Sequence, residues 1–216
     1  MRGTRLVGAT KAAIVVACLL TLGGCAVAAL SVVGLVGGAG FEHVINGVVY
    51  QTFPSPIAGA RLAALKTLKR MGMVVEKDEI SEDGWTIMAR AVDRKIDIDL
   101  ESLSDKSVRM RVDVHRDNFI FLKDPSTGNE IIKQTRADLS HLTFKRIRIA
   151  TAQMLLSELG YDTNYPDGIL GPKTRNAILR FQRRNSNRAD GKLNSHLVSI
   201  LKKKRDALRA AKNMER

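Results

Sequence analysis

Residues 12–40 form a run of 29 residues without a charged side chain, and Arg2, Arg5 and Lys11 precede it. A basic start, an apolar stretch and small residues after it are typical of a signal for export. An uncleaved transmembrane helix is the alternative, because about 20 apolar residues suffice to cross a bilayer. In both cases the basic start stays on the cytoplasmic side and the rest of the chain is exported.

The residues Leu22-Gly23-Gly24-Cys25 resemble the lipobox of bacterial lipoproteins. The resemblance implies that residues 1–24 are a lipoprotein signal peptide and that Cys25 is lipidated with palmitate. Residues 25–40 form an apolar Gly/Ala-rich tether, which is either a membrane-embedded or self-associating stalk or a loose segment without a partner. In that family an Asp after the cysteine commonly retains the protein in the inner membrane, whereas Ala26 follows here. The expected location is therefore the bacterial cell envelope, lipid-anchored in the outer membrane and facing the periplasm.

The cysteine content limits the chemistry of the rest of the chain. Cys18 and Cys25 are the only two cysteines, and both lie in the uncharged run. Disulfide frameworks, Cys-rich metal sites and thiol catalysis are therefore excluded after residue 25. A share of 44% hydrophobic and 26% charged residues is that of a packed globular chain, which excludes collagen, coiled coil and wholesale disorder.

Charge divides the remaining chain into two parts. Residues 26–140 hold 15 Lys and Arg against 16 Asp and Glu, whereas residues 141–216 hold 17 against 6. Such an asymmetry suggests two domains with different partners. We place the first domain at residues 41–140 and the second at residues 141–204, followed by a basic tail at residues 205–216.

The first domain is predicted to be α+β, with one helix packed on a small antiparallel sheet. An amphipathic helix is expected to begin at Ser55-Pro56 and to end at Gly72. Strict alternation of apolar and polar residues then predicts half-buried strands at 96–101 and 108–114. Residues 44–50 are expected to form a first strand. A turn at 124–129 is expected to join residues 119–122 and 131–133 as a hairpin.

The segment from Val44 to Val75 is similar to an uncharacterised bacterial lipoprotein family with a small domain of unknown function. The similarity lies in the order of a strand, a Pro, an Ala-Ala-Leu helix and a Gly-Met-Val-Val-Glu strand. The similarity covers roughly residues 25–115 and implies no activity. The open face of the sheet carries charged residues of both signs, as a solvated face does. The role we expect for this domain is that of a spacer or of a platform for a protein partner in the envelope.

The second domain is predicted to be a separate all-α module of three short helices. Two glycine-containing turns separate them, at Asp167-Gly168 and at Asp190-Gly191. The module resembles the peptidoglycan-binding domain found beside many cell-wall hydrolases. The motifs that carry the resemblance are Leu159-Gly160-Tyr161, Asp167 to Thr174, Ala177 with Phe181-Gln182, and Asp190-Gly191. Ala152 and Asn185-Ser186-Asn187 depart from the family pattern by thinning its small core.

The resemblance makes peptidoglycan the expected partner of this module. It implies a binding role for Asp167, Gly168, Thr174 and Phe181, although turn geometry and core packing explain the same residues. Better candidates for contact are Arg175, Gln182 and Arg183, because guanidinium and amide groups suit the carboxylates and amides of peptidoglycan stems.

The basic residues from Lys202 to Arg216 suggest a helical extension. In a cytosolic protein they would indicate nucleic acid, but export excludes that partner. A solvated helix face and attraction to anionic wall polymer or headgroups both remain open.

No catalytic residue, metal ligand or cofactor is predicted. The four histidines are scattered without metal-ligand spacing, and no Gly-x-Ser-x-Gly motif occurs. The resulting hypothesis is a non-catalytic, membrane-anchored lipoprotein that binds peptidoglycan and tethers the envelope layers. The alternatives are a cell-wall hydrolase or its activator, with activity in the α+β domain, and a subunit of a larger envelope machine.

Overall fold

Alternation of apolar and polar residues produces an antiparallel sheet in the computed structural model, which describes residues 42–82, 84–117, 119–185 and 189–214. The signal peptide, the tether and Cys25 lie outside these ranges, so the predictions made for them stay predictions. The described residues form one compact unit. Within the described ranges, no helix has both the length and the apolar character needed to cross a membrane.

The chain runs through seven strands and five helices in its described part. The strands are β1 (Glu42–Ile45), β2 (Val48–Phe53), β3 (Val74–Ile80), β4 (Gly84–Arg90), β5 (Arg94–Ser104), β6 (Ser107–Arg116) and β7 (Phe119–Lys123). The helices are α1 (Ile57–Arg70), α2 (Pro125–Ser140), α3 (Phe144–Glu158), α4 (Pro172–Asn185) and α5 (Ser195–Met214).

The strands form one sheet in the order β1-β2-β6-β5-β4-β3, and β7 pairs with β6 beside β2. All neighbours are antiparallel. The predicted first strand at 44–50 is wrong, because a tight turn divides it into β1 and β2. Asn46 and Gly47 adopt φ angles of 51° and 76° in this turn, the backbone that an Asn-Gly hairpin turn requires.

One face of the sheet is apolar and is covered by α1 and α2. Its core contains Leu68 of α1, Ile131 of α2 and the inward residues of the central strands, such as Ile98 and Met110. Because side chains alternate between the faces of a strand, the charged residues of β5 and β6 lie on the opposite, open face. The predicted α+β class, with an antiparallel sheet followed by helices, is confirmed.

The hairpin predicted for residues 119–133 is wrong, because residues 125–140 form α2. Asp124 caps this helix by accepting a hydrogen bond from the Thr127 backbone N–H at 3.0 Å, and Pro125 occupies its first turn. Gly128 lets the helix approach the sheet closely, since a Cβ there would lie 2.9 Å from Cγ2 of Val49. The same turn-forming residues thus begin a helix instead of closing a hairpin.

The three C-terminal helices have a core of their own, and α3 contributes to both cores. Ala150 and Met154 belong to the core of the sheet. Ala152 and Leu156 pack with Phe181 in the core of the helical module. The two cores therefore meet along one helix. The domain boundaries drawn from charge and motif stay predictions.

Candidate functional site

A buried glutamine holds the loop that precedes α4. Gln153 of α3 is 1% exposed. Its Nε2 donates to the Asp167 carboxylate at 3.0 Å, to the Ile169 carbonyl at 3.1 Å and to the Thr174 hydroxyl at 3.1 Å. Its Oε1 accepts from the Gly168 backbone N–H at 2.9 Å. The side-chain amide thus organises the turn that the sequence motif begins.

The same arrangement recurs one helix later. Gln182 of α4 donates from Nε2 to the Asp190 carboxylate at 2.9 Å, and its Oε1 accepts from the Gly191 backbone N–H at 2.8 Å. Gly168 and Gly191 have φ angles of 75° and 65°, a backbone conformation that favours glycine. In both cases a helix glutamine fixes the Asp-Gly turn that follows it.

The side chains of three predicted site residues lie inside the module. Thr174 and Phe181 are each 2% exposed and Gln182 is 7% exposed. The Phe181 ring packs edge-on against Tyr161, with 5.7 Å between ring centroids. Their observed contacts are with the protein, and their roles as ligand contacts stay predictions.

Asp167 and Gly168 likewise make their contacts within the turn and with the helices beside it. The Asp167 carboxylate accepts from the Ile169 backbone N–H at 2.8 Å in addition to Gln153. Gly168 is buried, and a Cβ there would lie 2.7 Å from Cγ of Arg146 and 3.2 Å from Cδ1 of Leu62. Gly168 is therefore required where the loop passes between α3 and α1.

The two predicted arginines are exposed on α4, and one of them lines an open depression. Arg183 borders a space of about 390 Å³. The other residues that line it are Asp162, Lys173, Asn176, Leu179 and Arg180. Arg175 is exposed but does not line this space.

Sequence analysis missed the polar stripe on α4 that forms most of this lining. Lys173, Asn176, Arg180 and Arg183 follow one another at intervals of three, four and three residues. Such spacing places side chains on one face of a helix. The spacing of these residues in the sequence is the signal that predicts the stripe.

The depression has a net positive charge. Three cations line it, against the single carboxylate of Asp162, whose Oδ2 lies 3.5 Å from the Lys173 ammonium. A hydrogen bond from the Asn164 backbone N–H lowers the pKa of Asp162, and the charge of Lys173 lowers it further. Asp162 is therefore ionised at neutral pH, and the surface offers guanidinium groups, an amide and one carboxylate to a ligand.

Cations of the sheet region are mostly paired, and those of the helical module are mostly not. Arg90, Arg94, Arg109 and Arg111 all form ion pairs on or beside the sheet. Several exposed cations of the helical part form no ion pair with any residue that the structure describes, namely Lys145, Arg148, Arg175, Arg183, Lys192, Lys203, Lys204 and Lys212. The charge asymmetry of the sequence is thus a surface that is free to attract anions.

The basic extension is partly held against the body. Lys202 Nζ lies 2.7 Å from the Asp105 carboxylate, and Arg209 lies 2.7 Å from Glu158 of α3. Lys203 and Lys204 point to solvent between these contacts. Across the described ranges, no cluster of three or more His, Cys, Asp or Glu side chains could hold a metal ion.

Two family models match the chain. Residues 146–201 match the peptidoglycan binding domain, which confirms the resemblance of the C-terminal module and supports peptidoglycan binding and a place in the cell envelope. No curated protein matches the chain. The second model matches residues 8–116, or 109 of the 216 residues, and it confirms the resemblance to an uncharacterised family. The chain therefore belongs to the family described as Protein of unknown function (DUF3568).

Proposed function

We propose that this protein is a lipid-anchored envelope protein that binds peptidoglycan through residues 141–204 without catalysing a reaction on it. Cys25 would carry the lipid, with palmitate among its acyl chains, in the outer membrane and on the periplasmic side. The observation that carries the proposal is the cationic depression on α4, in a module that matches a peptidoglycan binding domain.

The chemistry of the depression fits a peptidoglycan stem. Stem peptides carry free carboxylates and amides, and Arg180 and Arg183 present guanidinium groups that can pair with carboxylates in a bidentate manner. Asn176 can exchange hydrogen bonds with an amide. Ionised Asp162 can accept a hydrogen bond from a stem amine, so both signs of charge on a stem find a partner.

The mechanism is attachment at two points. A lipid anchor confines the module near the wall, which raises the effective concentration of a weak binding site without any new contact. The cations of α3 and α5 that pair with no described residue would add a long-range attraction to anionic polymer, and this attraction falls as salt is added. Sheet and helices share α3, so the anchored domain and the wall-binding module would move together.

Co-sedimentation with purified sacculi tests the binding site. The variant Arg180→Glu with Arg183→Glu reverses two charges in the depression, and Lys203→Glu with Lys204→Glu reverses two exposed charges on α5 as a matched control. We expect the first variant of residues 41–216 to lose about tenfold or more in affinity, since charge-assisted hydrogen bonds contribute about 1.5–3 kcal/mol each. The control should lose much less, mainly at low salt.

Equal losses in the two variants would mean that binding depends on total charge and not on the depression. Unchanged pelleting of both would remove this surface as the binding site.

Zymography of the same fragment on sacculi separates the binder from the alternative function of a hydrolase or its activator. Clearing of sacculi by residues 41–216 would contradict the non-catalytic proposal.

A further inference from the structure

One end of the sheet exposes apolar side chains that come from four separate segments of the chain. We call this group the apolar end. It consists of Val44, Ile45, Val74, Val92, Phe121 and Leu122. Val92 is 101% exposed and Phe121 is 96% exposed. A group of exposed apolar side chains marks a protein or membrane interaction site more often than single exposed side chains do.

Strand register places these residues at the same end. Ile45 pairs with Val48 at the β1–β2 turn, and β7 extends beside this turn, where a Cβ on Gly47 would meet Cβ of Lys123 at 2.6 Å. Across the sheet, Arg94 of β5 pairs with the last residue of β6, and Arg90 of β4 pairs with Val74 at the start of β3. The loop that carries Val92 joins β4 and β5 at that level.

Part of the helical module, α5, reaches the opposite end of the sheet. Lys202 of α5 pairs with Asp105 in the β5–β6 turn. Arg61 near the start of α1 donates to the Pro166 carbonyl of the module at 2.7 Å and to Asp78 near the end of β3. The Lys202–Asp105 pair therefore places α5 at the end of the sheet opposite Val92 and Phe121, while α3 packs on the covered face of the sheet.

We propose that the apolar end inserts into the interface of the lipid bilayer to which Cys25 attaches the protein. The inference rests on the proposed lipid anchor and adds a second, non-covalent contact with the same membrane. Side chains such as Phe121 and Val92 suit the boundary between headgroups and acyl chains. Arg116 is exposed beside the β6–β7 turn and forms no ion pair within the described ranges, so it can contact lipid phosphates.

Two features favour lipid over another protein as the occupant. The first is chain connection, since 16 residues separate Cys25 from Glu42, the first residue of β1, and Glu42 lies three residues before Ile45. An extended chain of that length spans at most about 50–58 Å, so the anchor allows the contact. The second is the orientation of the molecule, because docking at the apolar end directs the opposite end, with α5, away from the membrane and toward the wall.

The test uses the full lipidated chain in phosphatidylethanolamine and phosphatidylglycerol vesicles. Phe121→Trp and Val92→Trp place a probe on two different segments of the apolar end, and Leu103→Trp is the matched control at the opposite end, where Leu103 is 46% exposed. Lipids brominated on their acyl chains quench only a tryptophan that enters the bilayer. The single native tryptophan, Trp85, is 5% exposed and gives the background.

We expect blue-shifted emission and several-fold stronger quenching for Phe121→Trp and Val92→Trp than for Leu103→Trp. Vesicle flotation with no quenching of either probe would overturn the docking and leave the lipid anchor standing. In a third outcome the lipids do not quench the two probes, and the probes become shielded from water as protein concentration rises. That outcome would assign the apolar end to a second copy of the chain and overturn the lipid contact. Failure of the chain to float with vesicles would overturn both the anchor and the docking.

Discussion

Replacing Arg61 by methionine should destabilise the protein strongly, because this side chain joins the sheet to the helical module. Arg61 is fully buried and pairs with the Asp78 carboxylate, which is 5% exposed. Its guanidinium lies between the rings of Trp85 and Tyr165, 4.6 Å and 4.5 Å from the ring centroids. It also donates to the Pro166 carbonyl at 2.7 Å. Methionine keeps the apolar stem of the side chain and removes the charge, every donor and the guanidinium contacts with the two rings.

The expected cost follows from what the substitution leaves behind. Breaking a buried ion pair by removing one partner costs about 3–5 kcal/mol, because the other charge stays buried without compensation. Trp85 Nε1 still donates to Asp78, which softens the loss, whereas the Pro166 carbonyl loses its charged donor. We therefore expect the free energy of unfolding to fall by about 4 kcal/mol.

Urea denaturation of residues 41–216 measures this cost, and the single tryptophan, Trp85, reports it from within the cluster. Arg109→Met is the matched control, since Arg109 pairs with Glu101 on the surface with side chains 46% and 41% exposed. The control should lose at most about 1 kcal/mol. Adding Asp78→Leu to Arg61→Met should recover part of the loss, because it removes the stranded carboxylate.

The reasoning is refuted if Arg61→Met costs no more than Arg109→Met. It is also refuted if the double variant is less stable than Arg61→Met alone, since the buried charge would then not be the source of the cost.

Three further predictions concern other parts of the chain. Gln153→Met should lower the free energy of unfolding by about 3 kcal/mol in urea denaturation, because the buried Gly168 N–H and the polar groups around it lose their partners. Burial opposes ionisation of Asp138, but hydrogen bonds from Lys66, Arg70 and Thr67 lower its pKa to about 2. Its stabilisation of about 2 kcal/mol is therefore complete above about pH 5 and is lost as pH falls through 2. Asp138→Asn should abolish this contribution in a pH series of urea curves. Cys25→Ser should abolish incorporation of labelled palmitate and release the protein from the membrane fraction.

Each of these has an outcome that would contradict it. Gln134→Met is the control for Gln153→Met. An equal loss in the free energy of unfolding for the two variants would mean that the hydrogen bonds of Gln153 to the turn do not stabilise the protein. A pH series that stays as steep for Asp138→Asn as for the original chain would assign the acid sensitivity to other carboxyl groups. Palmitate labelling that persists in Cys25→Ser would place the lipid elsewhere.

The sequence was informative wherever a local rule determines the structure. Strict alternation at 96–101 and 108–114 fixed which residues of β5 and β6 face the core, because side chains alternate along a strand. The composite motif from Leu159 to Gly191 identified the helical module. Asn46-Gly47 carried the signal of a hairpin turn and was nevertheless read as part of one strand.

The site was predictable only in part. Arg183 lies at the depression, but Thr174, Phe181 and Gln182 face the interior. Periodicity shows that residues share a face and does not show which polar residues on it are occupied by a neighbouring turn. Gln153 illustrates this, because its partners Asp167 and Gly168 lie 14 and 15 residues away.

The sequence by itself determined the α+β class, the identity of the helical module and the excess of positive charge in the last third of the chain. These depend on local spacing and on composition. Tertiary structure alone decided that α3 serves two cores, that Arg61 of α1 binds the carbonyl of Pro166, and that apolar side chains from four segments meet at the end of the sheet opposite α5. Each of these joins residues far apart in the chain, and only strand register and helix packing bring such residues together.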